Sequence, residues 1–174
     1  MDIRTTTLRD VVLFEPDVHT DFRGDYVMTY DKSLYERLGI DKEFVEHDVS
    51  YTHLRGVLRG IHYSPRCWKL NECLKGAIYY VVVNCDKEDK EYGKWESFIL
   101  DDKKHYQLYK HPRYGSAFLT LTQDVVFHYM QSQYYNPDNP DQKTFKWDEF
   151  DIWWPIKTPI LSQRDESGKY GFES

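Results

Sequence analysis

The sequence predicts an all-β fold of the jelly-roll type, and three features point there. Short runs rich in β-branched and aromatic residues recur through the middle of the chain, joined by polar turns at intervals of about ten residues. No segment sustains the long period of an amphipathic helix, which excludes a wound α/β sheet. Aromatic residues make up 17% of the 174 residues, ample for one apolar core, and the length fits a single domain over 1–174.

Along the chain, a short helix comes first. Asp31 can cap a segment over 32–38, and Gly39 supplies a left-handed stop. Residues 76–85, GAIYYVVVNC, form the strongest strand signal and are bounded by the charged loop 86–94. Strands over 95–100, 106–109, 117–121 and 125–130 follow, and a looser, aromatic-bearing tail begins at Pro137. The longest apolar run, over 77–83, is far short of the roughly 18 residues a membrane helix needs, and the first residues show no apolar stretch typical of a secretion signal. A net charge of −6 argues against nucleic acid as a partner, yet leaves room for a small anion held by two or three local arginines. The three cysteines, Cys67, Cys73 and Cys85, have no paired spacing, so buried free thiols and a cytoplasmic location are expected.

The residues that could carry chemistry are few. None of the seven histidines is spaced as H-x-H or H-x-x-x-H, so no metal site is expected. In GVLRGIHY (56–63), Arg59 and His62 would point to opposite faces of a regular strand unless Gly60 breaks the pleat. With such a break, a permanent cation and a titratable imidazole share one cavity; without it, they are a surface arginine and a core histidine. Lys69, within CWKLNEC (67–73), could hold its ammonium against a pocket wall or merely snorkel to the surface. Tyr129 and Tyr135 are two of fifteen tyrosines, and spacing alone does not single them out. Asp165 could orient an imidazole or be solvated.

Together these segments resemble the nucleotide-sugar 3,5-epimerase family, in order and over nearly the whole chain. DFRG (21–24) matches the family's D-x-R-G, and GVLRGIH (56–62) is close to its GVLRGLH. Residues 112–121 follow its P-x-G-x-A-H-G-F strand, and Tyr129 follows its tyrosine strand. YYNP (134–137), WD (147–148) and LSQRD (161–165) complete the series. The resemblance implies the cupin double-stranded β-helix with short peripheral helices, a homodimer, and no metal or organic cofactor. It also implies inversion of C3, with or without C5, of a nucleotide-diphosphate 4-keto sugar through an enolate. Carried over by position, His62 is the base, Asp165 its orienting partner, Tyr129 the opposing acid and Lys69 the cation at the enolate oxygen. Arg23 and Arg59 are substrate and pyrophosphate contacts. Departures cluster where the sugar would lie. Glu46 and Asp48 stand where Gln and Asn are common, Ser116 replaces a His, Met28 replaces an acidic residue, and Tyr135 completes that end. They suggest an atypical 4-keto sugar, a 6-deoxyhexose or heptose, on a nucleotide other than dTDP. The alternatives are a sugar 3,4-ketoisomerase on the same barrel and a non-catalytic nucleotide-sugar binder.

Overall fold

The computed structural model describes residues 1–136, 138 and 141–169. Thirteen strands and two short helices run in the order β1 (Asp2–Thr5), β2 (Val11–Glu15), β3 (Val18–Asp21), β4 (Gly24–Val27), α1 (Lys32–Arg37), β5 (Glu46–Thr52), β6 (Leu58–Tyr63), β7 (Lys69–Lys75), β8 (Ala77–Asn84), β9 (Trp95–Asp101), β10 (Gln107–Lys110), β11 (Tyr114–Thr120), β12 (Val125–Gln131), β13 (Lys143–Thr144) and α2 (Gln163–Ser167). One sheet has the order β1-β2-β10-β7-β12-β5 and the other β13-β6-β11-β8-β9, while β3 and β4 pair as a separate hairpin. All paired strands are antiparallel, as the jelly-roll expectation requires.

Alternation of side chains explains why β8 reads as an unbroken apolar run. Ile78, Tyr80 and Val82 face inward against Leu100, Leu108, Phe118 and Phe127 of the space between the sheets. Tyr79, Val81 and Val83 face outward, and there Phe145, Ile152 and Trp154 cover them. The strand is buried on both faces, so polar alternation disappears from its sequence. The tail is therefore not the loose segment its sequence suggests. Its aromatics form the outer core of the five-stranded sheet, although Pro137 itself lies outside the described residues.

The other sheet is covered on its outer face by α1, through Tyr35 packed with Phe14, Ile40, Leu70, Tyr109 and Met130. Asp31 caps that helix by accepting from the Leu34 N–H, and Gly39, at φ +92°, ends it as expected. On this outer face His128 pairs with buried Glu72 at 2.6 Å, while its neighbour Tyr129 points the opposite way, between the sheets. The three cysteines are free and buried, and burial pushes the Cys73 and Cys85 thiols up to about 12.

Candidate active site

Gly60 decides which residues of β6 face the interior. The β6–β11 register slips between Ser116, opposite His62, and Phe118, opposite Arg59, so two residues of one strand span three of the other. At Gly60 φ is +117°, and a Cβ there would lie 2.6 Å from the Ser116 carbonyl oxygen. Only glycine fits. The pleat is broken in the way that lets Arg59 and His62 line the same cavity.

That cavity has two lobes, and His62, Lys69 and Tyr129 border both. The larger, about 480 Å³, is also lined by Glu46, Asp48, Gln131, Tyr135 and Arg164. The smaller, about 210 Å³, adds Arg59, Asn71, Tyr80 and Ser116. His62 comes from the five-stranded sheet, Lys69 and Tyr129 from the six-stranded one. Imidazole and phenol thus approach the junction of the lobes from opposite walls.

On the first wall, His62 Nε2 lies 2.7 Å from Asp165 Oδ1. Asp165 is only 3% exposed. It sits on α2, whose Ser162 cap accepts from the Asp165 N–H, so the last helix is what delivers this carboxylate. Burial alone would raise the Asp165 carboxyl. Its bond and charge contact with His62, with further hydrogen bonds from Gly60 and Ser162, hold it below the usual range. The His62 side chain keeps 39% exposure, because one edge opens to the cavity. Burial of the rest pulls its pKa below the ordinary imidazole value; Asp165 opposes that pull, and Arg164 and Lys69 assist it. The ring is therefore neutral at neutral pH, with Nε2 occupied and Nδ1 left for the cavity.

On the second wall, the Lys69 ammonium stands 4.6 Å from the centre of the Tyr129 ring. Burial draws Lys69 down, while Cys67, Asp48 and Glu46 oppose. Tyr129 is pushed well up, first by burial and then by Asp48 and Glu46, so it holds its proton firmly. Gln131 donates to both Glu46 and Asp48, and the Tyr135 N–H donates to Glu46 at 3.0 Å. Arg59 is steadied by Thr52 at 3.2 Å, and Ser116 and Tyr80 line the smaller lobe beside it.

Of the eleven residues singled out from the sequence, eight line this cleft and Asp165 stands behind His62. Met28 lines neither lobe, and nor does Arg23. It lies beside the turn of the β3–β4 hairpin, bound to Asp21 at 2.6 Å and beside its own shallow depression, apart from His62 within this chain. Sequence reading passed over Gln131, Asn71 and Arg164. The first two are two residues beyond Tyr129 and Lys69 on the same strand faces, a spacing that could have marked them. Arg164 carries no signal except adjacency to Asp165. Among the described residues, no group of three or more His, Cys, Asp or Glu side chains is arranged to hold a metal ion. No described helix is long and apolar enough to cross a membrane.

The sequence profile of dTDP-4-dehydrorhamnose 3,5-epimerase matches residues 5–170. The chain belongs to this family. A dTDP-6-deoxy-D-glucose-3,5-epimerase from Legionella pneumophila, solved in complex with dTDP-4-keto-L-rhamnose, superposes with a TM-score of 0.90 at 27% identity, covering 97% of this chain and 91% of that one. A dTDP-4-dehydrorhamnose 3,5-epimerase from Bacillus anthracis, solved with TDP and PPi bound, superposes at 0.88 with 32% identity over 94% and 95% of the two chains. A dTDP-4-dehydro-6-deoxyglucose 3-epimerase of Streptomyces bikiniensis is 33% identical over 158 residues, 88% of this chain and 80% of its own. The family's solved members share the jelly roll seen here.

Proposed function

We propose that this chain inverts C3, with or without C5, of a nucleotide-diphosphate-linked 4-keto-6-deoxy sugar. One observation carries the reading: an imidazole seated on a buried carboxylate and a phenol face one cleft from opposite sheets. Inverting a carbon next to a ketone needs that arrangement, because a proton must leave one face of the ring and another must arrive on the other.

The reading assigns the steps as follows. The ketone at C4 acidifies the C3–H bond, since the electron pair left behind spreads onto the carbonyl oxygen. His62 Nδ1 takes the proton, and Asp165 on Nε2 stabilises the imidazolium; a positioned base contributes about 10²–10⁴-fold. Lys69 offers a cation to the developing enolate oxygen, an interaction that strengthens as charge builds. Tyr129 returns a proton from the far side. Arg59 meets the pyrophosphate, and Ser116, Tyr135, Glu46 and Asp48 contact the sugar and its hydroxyls.

Arg23 fits this scheme only if its hairpin serves a second copy. Phe22 at the turn is 98% exposed and Tyr26 is also exposed, so the hairpin buries little against its own chain. We therefore propose a homodimer in which each hairpin carries Arg23 toward the partner's cleft. We also propose a cytoplasmic location, where buried free thiols stay reduced.

The test is a panel of dTDP-, GDP- and CDP-linked 4-keto sugars, hexose and heptose, incubated with the protein in D₂O and read by NMR. Deuterium at C3 together with an inverted product supports the proposal. A product with the carbonyl moved to C3, or binding without exchange, would contradict it.

A further inference from the structure

The Tyr129 wall holds more ionisable groups than a solitary phenol donor requires. Asp48 lies directly opposite Tyr129 in the β5–β12 register, and both side chains line the larger lobe. Side chains so paired have Cβ atoms about 4.5–5.5 Å apart. Gln131, on the same face, donates to Asp48 at 3.3 Å and also to Glu46. Around Asp48 stand Glu46 from β5, Lys69 from β7, Tyr129 and Gln131 from β12 and the Tyr135 N–H that holds Glu46, and the same lobe is also lined by His62, Lys143 and Arg164. Both carboxylates border the larger lobe, which opens to solvent.

This geometry poses an electrostatic problem. If Tyr129 gave up its proton with nothing behind it, a phenolate would form beside two carboxylates in a partly buried wall. Those carboxylates are among the influences that keep Tyr129 protonated. Burial, and then the charge on Glu46, raise the Asp48 carboxyl above the usual carboxylate range, with Tyr129 and Lys69 opposing.

We propose that Asp48 is the proton relay behind Tyr129, delivering its own proton to the tyrosine as the tyrosine protonates carbon. The proposal rests on the epimerase reading above. The balance is simple. One C3–H bond breaks, with its proton going to His62. The Tyr129 O–H bond breaks as the new C3–H forms on the opposite face, and the Asp48 O–H bond breaks as the Tyr129 O–H is restored. Asp48 then regains a proton from solvent through the larger lobe, and His62 releases one, so the protein ends unchanged. The negative charge passes to a carboxylate, the more acidic of the two groups by several pK units. In the proton transfer Asp48 acts through Tyr129, in addition to the sugar contact assigned to it above, so it is a positioning and relay residue.

The experiment compares wild type, Asp48→Asn and Glu46→Gln in D₂O across pH, with dTDP-4-keto-6-deoxyglucose as the probe. Two signals are read: deuterium at C3 of recovered, uninverted sugar, and the amount of inverted sugar. In wild type, inversion should fall as pH rises through the Asp48 ionisation, since the protonated form is the active one. Asp48→Asn should lower the ratio of inversion to exchange about tenfold or more and erase that limb. Glu46→Gln removes the charge that raises Asp48, so it should move the limb to lower pH. An unchanged ratio in Asp48→Asn would overturn the relay. So would exchange and inversion falling together with a raised KM, the mark of a mere substrate contact. Absence of exchange in wild type with every sugar of the panel above would instead sink the epimerase reading, and the relay with it.

Discussion

The two walls of the cleft solve opposite problems with the same chemical group. On the His62 wall, one deeply buried carboxylate, Asp165, contacts the imidazole from behind. On the Tyr129 wall, two carboxylates and a lysine line the larger lobe beside a phenol at the junction of the two lobes. Burial dominates in both places, but it favours the neutral form of each group. For imidazole that form is a base, and for phenol it is an acid. Opposed proton-transfer roles thus follow from one physical effect acting on two residue types. The walls also differ in origin: the carboxylate of the first arrives from the last helix, about a hundred residues beyond His62, whereas the second is built from neighbouring strands.

That contrast can be broken one wall at a time. Replacing His62 by Ala should lower C3 exchange by about 10²–10⁴-fold at saturating substrate, the largest single loss expected, measured by deuterium uptake. Asp165→Asn should cost about a hundredfold in turnover, because the amide cannot stabilise an imidazolium, while leaving KM within about twofold. Trp154→Ala removes a buried anchor of the tail that carries α2. It should cost about 3–5 kcal/mol of stability in denaturant titration, and damage the His62 wall more than the Tyr129 wall. The smallest effect sharpens the comparison through pH. The His62 pKa is lowered, so exchange should rise with pH only below the ordinary imidazole range and be flat through neutrality. An acid limb centred at or above that range would mean that Asp165, rather than burial, sets the ring.

The sequence made some of this legible and concealed the rest for physical reasons. The α1 helix was readable because its two ends carry their own chemistry, Asp31 and Gly39. Strands β8, β9 and β12 were readable because burial shaped their composition. Strands β3 and β4 were not, since their residues bury little within the chain and leave no apolar pattern. The tail misled for the opposite reason: Phe145, Ile152 and Trp154 are core residues on irregular backbone, where no period exists to detect. In the cleft, Arg59 and His62 could be joined only through a break at Gly60, which the sequence allows but does not demand. The pairing of Asp165 with His62 rests on a tertiary contact that no local spacing encodes.

The most direct test sets two variants side by side, with label at C3 and inversion measured in the same D₂O samples. If the walls divide the work as described, His62→Ala lowers both signals together by about 10²–10⁴-fold, whereas Tyr129→Phe continues to exchange the C3 proton while inversion slows. Exchange undiminished by loss of His62, or lost with Tyr129 alone, would contradict the account.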